Sequence, residues 1–120
     1  MRVEKKNKMK VYERLIEVEM SNYNDTKRQL QWLKESRRKD VSAATLVYLE
    51  RTVYALESAI KRTAAEPHGD ARLKMLEMLY WNKSYTPEGI MTSINIGRTT
   101  YYKWKKDFIR LVADMLGYEI

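Results

Sequence analysis

An all-α fold is what this sequence predicts, and three observations predict it. Glycine and proline are scarce, 4 and 2 residues of 120, while Lys, Glu, Leu, Met and Ala are plentiful, a composition of helix formers. Apolar residues recur at spacings of three and four, the helical period. The residues that start and stop helices fall between these periodic segments. A chain of 120 residues with 44% hydrophobic content can close one compact core, with or without a helical extension.

The first helix is expected from about Lys8, with Val11, Leu15 and Val18, then Leu30 and Leu33, as its buried positions. Ser21-Asn-Tyr-Asn-Asp25 holds several weak helix formers, so a break or kink is expected there, with Asn24 or Asp25 capping a new helix. Glu35-Ser-Arg-Arg-Lys-Asp40 reads as a polar connection. Ser42 is the expected N-cap of a long helix from about Ala43 to Thr63. Its Leu46, Leu49, Val53, Leu56, Ile60 and Thr63 form a narrow seam of the coiled-coil kind. About three heptads of it fit packing within the chain or between chains. Ala64-Ala-Glu-Pro-His-Gly69 reads as a linker, so the expected division is a helical region over 1–63, a linker over 64–69 and a second unit over 70–120. In that unit Asp70 is expected to cap a helix to about Trp81 whose apolar face is Leu73, Leu76, Met78 and Tyr80.

Residues 86–104 carry the most specific signal. Thr86 is placed as an N-cap, Pro87 at the first helical position and Glu88 near the positive end of the helix dipole, for a short helix to about Ile94. Asn95-Ile-Gly97 is the turn: Asn95 tolerates positive φ and Ile96 plugs the angle between two helices. The next helix begins near Arg98. Ile90, Ile94, Ile96, Tyr101 and Trp104 fall where a helix-turn-helix buries apolar side chains. Phe108, Val112 and Met115 extend that stripe, and Gly117 is placed to stop the helix. The opposite face then presents Arg98, Thr99, Tyr102 and Lys103 for base edges. Lys83, Thr86, Thr100, Lys105 and Lys106 are the expected phosphate contacts.

Charge agrees with a polyanionic partner. The chain carries a formal +7, and double-stranded DNA is the partner that the motif and this charge imply. The excess is +5 over residues 1–40, zero over 41–69 and +2 over 70–120. Arg98, Lys103, Lys105 and Lys106 lie within nine residues that hold no acid. The absence of cysteine excludes a disulfide framework, thiol catalysis and the usual zinc sites. The single histidine, His68, sits in the Pro/Gly linker and reads as a surface residue. Glu13 and Glu17 lie one helical turn apart but read as a solvated face rather than an acid/base pair. With no phosphate-binding glycine loop and no nucleophile elbow, neither enzymatic activity nor a cofactor is expected. Met1–Lys10 is basic and no apolar run follows it, so a soluble, cytoplasmic protein is expected.

The block Arg72-Leu-Lys-Met-Leu-Glu-Met-Leu-Tyr-Trp81, the Thr86–Ile96 motif, Thr-Thr-Tyr-Tyr-Lys-Trp104, Phe108-Ile-Arg-Leu-Val112 and the closing Leu116-Gly-Tyr resemble the RinA/ArpU-type transcriptional regulators of Gram-positive phages and prophages. The resemblance covers about residues 70–118. It implies a small DNA-binding activator of late phage genes in a bacterial cytoplasm, with a helix-turn-helix like that of sigma-factor region 4. Met91 stands where an alanine is usual, implying a wider helix crossing. Gly97 stands where a capping serine is usual, implying a recognition helix that begins less firmly. Two other readings stay open on the residues: a small-terminase-like DNA-packaging protein, and a helical adaptor that binds protein, for instance host RNA polymerase. A homodimer or higher oligomer through the seam stays open with them.

Overall fold

The computed structural model describes residues 2–36, 42–82 and 84–118. Among these residues it is all-α, with six α-helices and no strand: α1 Arg2–Ser21, α2 Tyr23–Ser36, α3 Ala43–Ala65, α4 Gly69–Leu76, α5 Pro87–Ser93 and α6 Arg98–Leu116. A π-helical segment, Glu77–Trp81, continues α4. Most of the polar connection after Ser36, residues 37–41, lies outside the described residues.

The long central helix α3 organises the molecule. Ser42 caps it, its hydroxyl accepting the Thr45 N–H at 3.1 Å. Leu49, Val53, Leu56 and Thr63 of the seam are buried, and Leu46 and Ile60 partly so. Thr52, Ala55 and Ala59 widen the buried face beyond a heptad seam, because α3 packs within the chain against α2, α4 and α6 together. Three contacts fasten α2 to α3: Tyr23 donates to Glu57 at 2.9 Å, Lys27 pairs with Glu57 at 3.3 Å and Lys34 with Glu50 at 3.1 Å.

Several expectations need correction. The first helix begins at Arg2 rather than near Lys8. Val11, Leu15 and Val18 are not buried but 54, 48 and 55% exposed. The buried side of α1 is the neighbouring stripe, Tyr12, Ile16 and Met20, which runs on to Tyr23 in α2. Both stripes have helical spacing, and the aromatic-rich one wins because α6 and the π segment approach from that side. The expected break is a single residue, Asn22. Neither Asn24 nor Asp25 caps α2, whose first turn hydrogen-bonds straight back to Asn22.

Asp70 does not cap α4. The helix starts at Gly69, after His68 in the left-handed region at φ 60. Gly69 must be glycine: a Cβ there would collide with the Ala64 carbonyl, so the chain doubles back at once and Asp70 falls inside the first turn. There it still favours the helix dipole. Leu76, Met78 and Tyr80 are buried and Leu73 partly so, while Met75 joins the core beyond the expected face. Met75 precedes the π segment, whose wider turn shifts which of the following residues face inward. Trp81 closes that segment, its indole N–H reaching the Met20 carbonyl at 2.9 Å. That carbonyl belongs to the last turn of α1, where helix acceptors lack internal partners.

Candidate nucleic-acid interface

The local chemistry of residues 86–98 sets α5 against α6. Thr86 Oγ accepts the Gly89 N–H at 3.0 Å, with Pro87 in the first turn. Beyond α5 the Ile96 N–H reaches the Met91 carbonyl at 3.0 Å. Asn95 takes the left-handed conformation at φ 54, which a short polar side chain tolerates. Gly97 is the N-cap residue of α6 and supplies no side-chain bond. The amides of Arg98, Thr99 and Thr100 therefore stand at the start of a 19-residue helix without a side-chain cap, the arrangement that suits an anion.

Burial divides α6 lengthwise. Ile90 of α5 is 1% exposed, and on α6 Tyr101, Trp104, Phe108, Ile109, Val112 and Ala113 are all buried. Ile94, Ile96, Met91 and Met115 are half-buried, the first three packed against the core. Gly117 ends the helix at φ 78. Two groups brace the Trp104 ring: Arg72, its guanidinium 5.0 Å from the ring centre, and His68, stacked at 6.0 Å.

The other side of α6 gathers the four expected base readers. Arg98, Thr99, Tyr102 and Lys103 are all exposed, and so is Lys106. Thr100 is half-buried, and Thr86 is exposed with its hydroxyl proton still free to donate beyond its capping bond. Lys83 lies outside the described residues. Lys105 faces elsewhere: its side chain is 20% exposed and its Nζ stands 3.4 Å from Glu17 and 3.8 Å from Glu13, tying α6 to α1. Lys103 is paired too, with Asp107 at 3.0 Å, a carboxylate that also meets Arg72 at 3.5 Å.

Arg110 belongs to this face and escaped the sequence reading. It is exposed, and Thr99, Lys103, Lys106 and Arg110 follow one another at spacings of four, three and four, one side of a helix. The signal was present in the sequence, but the apolar stripe through Phe108 to Met115 drew that half of the helix into the core. Among the described residues Arg98, Lys106 and Arg110 have no ion-pair partner, so their charges stand unneutralised on the open side of α6.

Carboxylates border the strip at its α1 edge. Burial raises the pKa of Glu17 above the ordinary carboxylate range; Lys105 pulls it down and Glu13 pushes it up, each more weakly. Tyr80 lies beneath this cluster with its hydroxyl buried, making no hydrogen bond of good geometry among the described residues though close enough to Glu17 to feel it. Burial, and after it the charge of Glu17, drives its pKa far upward. Among the described residues no His, Asp and Glu side chains gather as a metal-binding group, and no helix is long and apolar enough to cross a membrane. Comparison of the chain with protein-family models, with curated proteins and with solved structures finds no match.

Proposed function

We propose that this chain is a sequence-specific DNA-binding transcriptional regulator, in which α5, the Ile94–Gly97 turn and α6 form a helix-turn-helix with α6 as the recognition helix. The observation that carries the reading is the division of α6: Tyr101 and Trp104 are buried while Arg98, Thr99, Tyr102, Lys103 and Lys106 share the open side. A recognition helix needs such a division, because its first turns must reach base edges while its inner face holds the partner helix. Arg98 is suited to grip guanine, and Thr99 and Tyr102 to touch a thymine methyl. Lys103 reads bases once it leaves Asp107. Lys106 and Thr86 are assigned to phosphate, joined by Arg110, and the half-buried Thr100 offers its amide more readily than its hydroxyl. Lys105 is reassigned from phosphate to the α1–α6 junction.

The transcriptional role rests on the resemblance of residues 70–118 to the RinA/ArpU-type phage regulators, which implies an activator of phage or prophage late genes. Packaging by a small-terminase-like ring and a purely protein-binding adaptor are the alternatives. A mobility-shift assay on selected and scrambled duplexes, together with sizing by light scattering, separates them. A stable ring of many subunits with weak sequence preference marks the packaging protein. The regulator binds with steep salt dependence, and Arg98→Ala with Lys103→Ala abolishes specific binding while the fold persists. Binding by that double variant equal to the parent would remove this face as the reader. Absence of any duplex binding at low salt would favour the adaptor, since electrostatics alone secures some association there.

A further inference from the structure

α1 carries a row of cations that the motif reading leaves unused. Arg2, Lys6, Lys10 and Arg14 follow one another at intervals of four, and α1 is helical throughout from Arg2 to Ser21. Four residues advance an α-helix by about 6 Å and rotate it by about 40° past a full turn, so the four positions form one gently winding row. Only two acids, Glu4 and Glu13, lie between Arg2 and Arg14. Lys10 and Arg14 are exposed, and neither has an ion pair among the described residues.

The place of the row in the fold gives it a use. Glu13 and Glu17 follow Lys10 and Arg14 by three residues each, one helical turn away, and both carboxylates face Lys105 of α6. Glu13 also borders a surface depression with Tyr102, Lys106 and Ile109. Lys10 and Arg14 therefore lie one helical turn from the junction with α6, on the helix that borders Tyr102 and Lys106. Two negative charges at that junction would repel a polyanion lying across both helices. Lys105 stands against both and offsets them.

We propose that Lys10 and Arg14 form a second DNA-binding surface, which holds the phosphate backbone flanking the site that α6 reads. The proposal rests on α6 being the recognition helix. Contacts of this kind position a protein without selecting sequence, and each lowers the slope of log affinity against log salt by about one when lost.

The test is fluorescence anisotropy of labelled duplexes, one selected by the protein and one scrambled, titrated with the full chain over a range of salt. Lys10→Gln with Arg14→Gln is expected to bind both duplexes more weakly by the same factor, with the salt slope reduced by about two. Thermal unfolding midpoints should match the parent, because the substituted side chains at positions 10 and 14 are exposed and unpaired. A parent that binds duplex with a slope unchanged in the variant overturns the α1 surface and leaves the α6 reading intact. A parent with no salt-dependent duplex binding overturns both. Loss of binding to anionic phospholipid vesicles, with DNA binding unchanged, would reassign the row to a membrane surface and also overturn the proposal.

Discussion

The Lys105 ammonium lies 3.4 Å from the Glu17 carboxylate, and this pair joins the first helix of the chain to the last. Glu17 is held protonated more strongly in the folded protein than its ordinary value of 4.5 allows, burial being the largest cause. Above its raised pKa the folded state must carry a desolvated charge that the unfolded chain carries in water.

A pH dependence of known sign follows. Between the unfolded and folded pKa values the native state binds more protons than the unfolded one, so stability from this group falls as pH rises through that window. Lowering the pH from neutral toward 4.5 should therefore favour the parent increasingly over Glu17→Gln in chemical denaturation. A stability difference between the two proteins that stays flat, or moves the other way, contradicts the assignment.

Tyr80 supplies a second stability test. Its hydroxyl is buried and makes no hydrogen bond of good geometry among the described residues, Glu17 being close by, and an unsatisfied buried polar group costs about 1–3 kcal/mol. Tyr80→Phe keeps the ring and removes the orphan, so it should leave stability unchanged or raise it by about 1 kcal/mol. A loss of stability in urea unfolding would mean that the hydroxyl has a partner after all.

The two turns that frame the second half respond oppositely to a small side chain. At Gly97, φ is −84 and a Cβ would meet nothing within 4 Å. Gly97→Ser should supply the missing cap of α6 and stabilise by a few tenths of a kcal/mol. At Gly69 a Cβ would strike the Ala64 backbone, so Gly69→Ala should destabilise by about 1–3 kcal/mol. Thermal unfolding of the two variants checks both signs.

Adjacent tyrosines give the sharpest contrast between scaffold and site. Tyr101 is 2% exposed and Tyr102 50% exposed, with their rings edge to face at 5.0 Å. Tyr101→Ala should cost about 3–5 kcal/mol, the range for emptying an aromatic site in a core. Tyr102→Ala should cost no more than about 1 kcal/mol and still weaken DNA binding. Circular dichroism melts paired with anisotropy titrations separate the effects, and a Tyr102→Ala protein that binds like the parent removes this residue from the interface.

Several local signals were legible in the sequence where one residue type meets one backbone requirement, though not the start of α4, expected at Asp70 and found at Gly69. Thr86 before Pro87, Asn95 at positive φ, Gly97 before Arg98 and Gly117 at the helix stop are of this kind. The buried face of α6 was legible for the same reason, its aromatic stripe having no rival. Where two faces compete, periodicity alone does not choose. On α1 the stripe of Val11, Leu15 and Val18 and that of Tyr12, Ile16 and Met20 are both helical, and only the approach of α6 and Trp81 selects the second. Lys105 and Lys106 are adjacent cations in sequence, yet one sits in the α1 junction and the other is exposed. That difference depends on Glu13 and Glu17, some ninety residues away. The π segment at Glu77–Trp81 shows in no residue pattern; its last residue, Trp81, meets the end of α1 some sixty residues away in sequence.

Selection of bound sequences from a random duplex pool tests the central claim most directly, run in parallel with the parent, Arg98→Ala and Lys106→Ala. The parent should enrich one short shared sequence. Arg98→Ala should lose or alter the preference at one position of it, and Lys106→Ala should keep the preference while binding every duplex more weakly. A parent pool that stays random after repeated rounds at low salt, or a shared sequence that Arg98→Ala enriches unchanged, would contradict the assignment of α6 as the helix that reads DNA.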